Sequence, residues 1–410
     1  MDENIAVDQD RPPDGASHAD VVERLRSTEL RRCRLVLEQY GLAADLLRQR
    51  VLERVAAGLP QDRWRQGVAA EVALALHLSP NAAAKMLSRA VELERNMPHL
   101  RARLHAGEVS PDAVPTIVGG LSHLDVGDRQ QADAQLCSDP DTLAGLGIRQ
   151  IGDKVEQVAY RLDARATVDR RAAAEKDRTV TLRPQPEGMA RLSLLLPMAR
   201  AVGAYAALRH HADALVGRDP ELRTRGQIMA DTAFARVTGR DAAEGQPVTV
   251  SLTIPATVLL GDRPGPAHLD GGGTMPGEIA RNLIGKATAA GVAWVRRLFV
   301  APENGAIVAM DSRRRLFPAG LADLIRVRDR YCRTPYCDAP IAHTDHIAPH
   351  AKGGPTSHTN GQGLCAACNH AKEAPGWSSA TVDDPTGRHT VETRTPGGHR
   401  HRSTAPHQAA

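Results

Sequence analysis

Four cysteines carry the most specific chemistry in this chain. Cys332 and Cys337 flank Arg333-Thr-Pro-Tyr336, and Cys365-Ala-Ala-Cys368 follows after residues 338–364. Two tight pairs of thiolates separated by such a loop can meet around one tetrahedral Zn²⁺, which pins the loop between them. Inside the loop stand Asp345-His346, the turn Lys352-Gly353-Gly354 and Asn360, and Asn369 and His370 come directly after the last cysteine.

Each gap has a geometric reason. Sulfurs three residues apart, as in Cys365 and Cys368, face one ion if a helix starts there. The looser pair suits a turn made by Pro335, whose ring fixes its backbone dihedral. The competing reading of the four thiols is a pair of disulfides. With six cysteines in 410 residues and no secretory leader, the chain has the composition of a protein kept where thiols stay reduced, and a structural zinc site with four cysteine ligands is the expectation. The same features predict a cytoplasmic location.

Asp345-His346, Asn360 and Cys365-Ala-Ala-Cys368-Asn369 with Lys372 resemble the HNH endonuclease motif in its zinc-braced form. The longer stretch Arg328 to Trp377, with Cys332-Arg-Thr-Pro-Tyr-Cys337, Gly353-Gly354-Pro355-Thr356-Ser357 and Ala374-Pro-Gly-Trp377, resembles the mycobacterial 13E12 repeat family. Residues from about 20 to 300 are similar to the helical domain of uncharacterised function that precedes the nuclease module in those proteins.

The resemblance implies a small ββα-metal fold and the hydrolysis of phosphodiester bonds in DNA. It implies that His346 is the general base, because a neutral imidazole is present near pH 7 and strong enough to take a proton from water. Asp345 and Asn369 would offer hard oxygens to a catalytic Mg²⁺ or Mn²⁺. Asn360, the middle residue of the motif, would hold the histidine-bearing loop through its backbone. Lys372 would contact a phosphate. The last position of the motif is often histidine, so His370 is the alternative to Asn369 as metal ligand, and Asn369 is favoured because it keeps the motif's phase relative to the cysteines. The local sequence agrees with the implied fold: 341–347 suits a short strand, 349–355 is punctuated by glycine and proline, and 366–373 is compatible with a short helix. So small a module cannot bury much core, and zinc has to supply folding free energy.

A net charge of +4 is too small to argue for nucleic acid by itself. Local clustering matters more, since Arg326, Arg328, Arg330 and Arg333 run into the first cysteine pair and Arg313, Arg314 and Arg315 precede them. Arg326, Arg328 and Arg330 are the candidate phosphate contacts; the plainer reading is the solvated face of a helix over 316–330. Aromatic residues make up 3% of the chain, which argues against stacking platforms for single strands. Apolar runs are too short to span a bilayer.

Elsewhere the chain reads as mostly α with α+β parts. Residues 1–19 are acidic and proline-bearing and are expected to be disordered. Residues 20–310 form the helical to mixed domain of unknown function, 311–380 the nuclease module and 381–410 a polar tail, weakly structured. Apolar residues repeat at helical spacing over 30–56 before Gly58 and Pro60 stop them. Leu78-Ser79-Pro80 separates two short helices. These could form a helix-turn-helix offering Asn81, Lys85, Ser88 and Arg89 to DNA, but an ordinary helical hairpin packed through Ala83, Met86, Leu87, Ala90 and Val91 is preferred. A β-hairpin is expected over 179–195, helices over 200–215 and 223–238, a strand over 247–253 and paired strands over 293–300 and 306–310. Asp270-Gly-Gly-Gly-Thr274 lacks the Gly-Lys-Ser/Thr ending of a phosphate loop and reads as a flexible loop. Cys33 and Cys137 are expected to be buried and inert.

These readings converge on a metal-dependent DNA endonuclease with structural zinc, no small-molecule cofactor and no membrane partner. The alternative is a DNA-binding or regulatory protein of a mobile element whose HNH fold does not cleave. Oligomeric state and sequence specificity are not legible.

Overall fold

Alanine, leucine and valine recurring at helical spacing set the architecture of the N-terminal part. The computed structural model describes residues 18–218, 221–239, 252–254, 258, 264–269, 273–289, 311–312 and 316–407. They divide into two compact units, residues up to 72 together with 81–170, and 73–80 together with 171 onward.

The first unit is all helical. α1 (His18–Ala56) buries Cys33, Tyr40, Ala43, Ala44 and Leu47 along one face and ends just before Gly58, which takes the left-handed conformation at φ 69°. α2 (Val68–Leu76) and α3 (Pro80–Arg95) follow, with Pro80 in the first turn of α3 where its missing N–H costs nothing. α3 buries Ala83, Met86, Leu87, Ala90 and Leu93 and leaves Asn81, Lys85 and Ser88 exposed. α4 (Pro98–Ala106), α5 (Val114–Leu121), α6 (Val126–Cys137), α7 (Ile148–Leu162) and α8 (Ala164–Ala174) complete the series. α7 buries Ile151, Val155, Val158 and Ala159 and packs on α5 and α6, and Gly120 gives Val155 its space, since a Cβ there would overlap the valine methyl. The carboxylate of Asp133 in α6 is buried and accepts from the backbone N–H groups of His99 and Leu100 at 2.8 and 2.9 Å, capping α4 from outside it.

The first strands of the second unit form the expected hairpin. β1 (Thr179–Pro184) pairs antiparallel with β2 (Ala190–Leu195), and Val180 faces Leu194 across it. α9 (Met198–Leu215) packs against α10 (Arg225–Thr238), whose N-cap Thr224 and Gln227 form a capping box. β3 (Leu252–Thr253), β4 (Pro266–Leu269) and β5 (Gly273–Pro276) form a small antiparallel sheet ahead of α11 (Gly277–Ala289). Gly273 and Thr274 thus belong to a strand. Residues 1–17, 247–251 and 270–272, and the strands expected over 293–300 and 306–310, lie outside the described residues.

From 311 onward the elements become short. β6 (Asp311–Ser312) precedes α12 (Ala319–Asp329), and β7 (His343–His346) pairs antiparallel with β9 (Gly361–Leu364), with His346 opposite Gly361. β8 (Thr356–Ser357) pairs with β6. α13 (Ala366–Lys372) packs against β7 and closes a ββα unit, as expected. The polar tail corrects the expectation of a weakly structured segment. β10 (Ser378–Val382), β11 (Thr390–Arg394) and β12 (Arg400–Thr404) form a three-stranded antiparallel meander. Its strands are mostly Ser, Thr, Arg and His, so apolar alternation could not announce them; Val391, 1% exposed, is its main apolar anchor.

Candidate HNH site

The sulfurs of Cys332, Cys337, Cys365 and Cys368 all lie within 4.8 Å of one another. Those of Cys337 and Cys365 are 3.8 Å apart, and the edge of a tetrahedron with ~2.3 Å zinc–sulfur bonds is about 3.8 Å. None of the six cysteines is in a disulfide. Local backbone bonds shape both knuckles. Cys332 N–H donates to Ala339 O and Cys337 N–H to Thr334 O, with Tyr336 in the left-handed region at φ 63° just before the second ligand. Cys365 is the N-cap of α13, its sulfur accepting from Cys368 N–H at 3.4 Å. Cys332 is held well below the ordinary thiol range because Cys337 and Cys368 donate to it, and those same bonds raise the two donors. The quartet can therefore hold a metal such as zinc, with Leu364 completing its buried lining.

β7 carries Asp345 and His346 to the edge of this brace. The His346 ring is 7% exposed, lies against Phe317 with ring centroids 4.6 Å apart, and has its Nε2 2.9 Å from Thr356 Oγ1. Its Nδ1 is 3.9 Å from Asp345 Oδ1. Asn360 closes the loop after the histidine. Its Oδ1 accepts from Ala348 N–H at 2.9 Å, its Nδ2 donates to Ala348 O at 3.0 Å and Pro355 O at 2.8 Å, and its own carbonyl accepts from Ile347 N–H. Gly354 is needed where the loop folds back, since a Cβ there would overlap the Ala348 carbonyl and crowd Asn360 Nδ2.

Asn369 stands in the first turn after Cys368, and its Oδ1 is buried without a hydrogen-bond partner. A buried carbonyl oxygen left unmatched is costly in a folded protein. The same oxygen facing a cation would be satisfied, so Asn369 offers the kind of hard oxygen a divalent ion takes. His370, one position on, is exposed.

The comparisons with known proteins place the chain. A family model described as Domain of unknown function (DUF222) matches residues 27–329, and one described as HNH endonuclease matches residues 330–374. The chain is a DUF222 protein with an HNH module. This pairing is the architecture of the 13E12 repeat family. No curated protein and no solved structure matches it.

Around the HNH module, two groups of basic residues are placed differently from the expectation that they grip phosphates. Arg328 is 3% exposed. It pairs with Asp329 at 2.7 Å and donates to the carbonyls of His358 and Gly361, because α12 lies directly on β9, where Gly361 leaves room for Ile325 and Phe317. Arg330 donates to His407 O, and burial lowers its pKa. Only Arg326 of the three is exposed, and it lies 3.4 Å from Asp323. Lys372 also turns inward. Its side chain is 12% exposed, and its ammonium pairs with Asp345 Oδ2 and donates to His346 O at 2.8 Å, so it braces the strand end.

Three residues that matter here carried no role in the motif. Thr356 orients the imidazole. Asp329, its side chain wholly buried, lies between Arg328 and Arg333 and accepts from Gly363 N–H at 2.8 Å. Arg333, which burial pulls down to about 10, donates to the carbonyls of His389 and Ser403 in the terminal meander. Thr356 was legible only as part of Gly-Gly-Pro-Thr-Ser. Nothing local distinguished the buried arginines from their exposed neighbours.

Among the described residues no helix is long and apolar enough to cross a membrane.

Proposed function

We propose that this protein hydrolyses phosphodiester bonds in DNA with a divalent cation bound by Asp345 and Asn369, and that the quartet Cys332, Cys337, Cys365 and Cys368 holds structural zinc. The observation that carries the reading is the bond between His346 Nε2 and Thr356 Oγ1. If the hydroxyl oxygen accepts from Nε2–H, the lone pair of the neutral ring sits on Nδ1, the nitrogen on the Asp345 side. Nδ1 then takes a proton from the attacking water, whose oxygen bonds to phosphorus as the bond to the 3′ oxygen breaks. Asn360 keeps the imidazole from swinging by fixing the backbone that follows it. A bound Mg²⁺ or Mn²⁺ would stabilise the negative charge that grows on the phosphate and the leaving oxygen.

One observation favours the second reading, a non-cleaving regulatory protein of a mobile element: Lys372 is already paired with Asp345. An ammonium there competes with a metal ion for the carboxylate.

A nicking assay on supercoiled plasmid with Mg²⁺ or Mn²⁺ separates the two. Wild-type protein is expected to nick, and His346→Ala to lose roughly 10²- to 10⁴-fold at any metal concentration. Asp345→Ala and Asn369→Ala should recover part of their activity when metal is raised, while His370→Ala stays mild. Thr356→Val should lower turnover by about tenfold, the worth of one hydrogen bond to a group that becomes charged, and shift the kinetic pKa of the base. Nicking by His346→Ala at the wild-type rate in a nuclease-free preparation sinks the mechanism, and an inactive wild-type chain leaves the regulatory reading.

A further inference from the structure

The terminal meander has an inner and an outer face. Thr381 Oγ1 donates to Thr359 O at 3.2 Å and the His389 ring bonds the same carbonyl at 2.8 Å, so the meander is fastened to the loop that carries Asn360. Val391 points inward with Thr381 and Thr393, as strand alternation requires. The outer face therefore takes Ser378, Arg394 and Arg400, which form one row across the three strands, with Glu392 and Arg402 in the next row.

That face is unusual in its charges. Arg394 and Arg400 are direct cross-strand partners, and like charges placed directly opposite each other destabilise a sheet. Glu392 relieves part of this, lying 3.5 Å from Arg400 and 2.9 Å from Arg402, but both its oxygens are then used. Arg400 and Arg402 remain 66% exposed, and Arg394 has no ion pair among the described residues. Arginine, with its planar fork of donors, suits phosphate oxygens better than lysine does, and hydroxyls such as that of Ser378 are common accessory phosphate contacts.

We propose that this outer face grips the phosphate backbone of duplex DNA, with Arg394, Arg400 and Arg402 as the contacts and Glu392 as a built-in moderator of affinity. The inference rests on the nuclease reading for the identity of the polyanion. It supplies the cations that the buried Arg328 and the inward Lys372 do not.

Binding of a fluorescein-labelled 30-base-pair duplex to the zinc-loaded full-length chain carrying His346→Ala is followed by anisotropy across a salt series. Each lost phosphate contact removes about 0.9 from the slope of log K against log salt. Arg394→Ala, Arg400→Ala and Arg402→Ala combined should flatten the slope by roughly 2 to 3 and weaken binding at least tenfold, with zinc content and melting temperature retained. Glu392→Gln should tighten binding and steepen the slope, a gain that misfolding cannot imitate. An unchanged slope in the triple variant, or no tightening by Glu392→Gln, overturns the proposal. Because binding is read without cleavage, failure of the nuclease reading shows separately, as wild-type protein that binds through this face and never nicks.

Discussion

Residues 18–170 and residues 316–407 keep their shape by different means. In the helical part the buried set is Leu93, Leu100, Leu104, Ile117, Leu121 and Leu136 with their alanine and valine neighbours; its buried charges are Arg54, Glu71 and Asp133, the last answered at once by two backbone N–H groups. In the HNH module the buried set mixes Leu321, Ile325 and Ile347 with Arg328, Asp329, Arg333, His346, Asn360 and Gln362, and with three of the four cysteines. Apolar burial is graded and forgiving, falling by a few kcal/mol per lost side chain. A polar interior stays favourable only while each partner is present. The proposed base, His346, is held by the less forgiving half.

Removing the metal is the largest test of that contrast. Structural zinc contributes on the order of 10 to 16 kcal/mol in small zinc modules at neutral pH. Chelation under reducing conditions, or Cys365→Ser, should therefore release about one zinc per chain, as a closed four-thiolate site requires, and open the chain to protease after residue 329. The helical part should persist as a resistant fragment. Loss of both at once would show that the helical core does not stand without the module.

A matched pair of substitutions sharpens the comparison. Leu104→Ala, in the helical core, should cost about 2 to 5 kcal/mol and lower the melting of that part with its packing otherwise intact. Asp329→Ala should cost about 3 to 5 kcal/mol in the module, because two guanidiniums stay buried without their carboxylate. Its signature differs from that of the leucine variant: thermal unfolding of the module loses cooperativity and zinc exchanges faster. If Asp329→Ala retains zinc and melting unchanged, the polar interior is not what holds this half.

The smallest effect is one of pH. Burial, reinforced by Arg328, holds the His389 imidazole down to about 4, although its bond to Thr359 O and the nearby Asp329 act the other way. Its pKa is lower folded than unfolded, so the stability tied to it is complete above about 6.5 and is lost as pH falls from there toward about 4. His389→Gln should flatten the stability profile in that window without altering zinc content, as read by denaturant titrations at pH 7, 5.5 and 4.5. A wild-type profile already flat across the window would remove His389 from the account.

Much of the site was legible because its logic is local. Cysteine spacing, the Asp345-His346 pair and the short helix after Cys365 depend on neighbours a few residues apart. The loop clamp by Asn360 was legible through the resemblance alone, since its contacts with Ala348 and Pro355 cannot be counted from spacing. The arginines misled because Arg326 and Arg328 look alike in sequence. What separates them is Asp329, the carbonyls of His358 and Gly361, and the missing side chain of Gly361 that lets α12 approach, all fixed by tertiary structure. The meander escaped because its strands bury little apolar surface and are tied down by hydrogen bonds from Arg333, His389 and Thr381, none of which has a periodic signature.

The reach of Arg333 has a consequence in time. Its guanidinium donates to Ser403 O, 70 positions further along the chain. A ribosome adding roughly 5 to 20 residues per second needs on the order of 4 to 14 s to cover that interval. Throughout it the chain can complete its helices and gather its cysteines, but the arginine beside Cys332 waits for acceptors that have not yet been made. The surroundings of the first knuckle are therefore among the last parts of the protein to settle, and a nascent chain stalled before β12 carries its HNH motif with an arginine at the base still short of its Ser403 carbonyl.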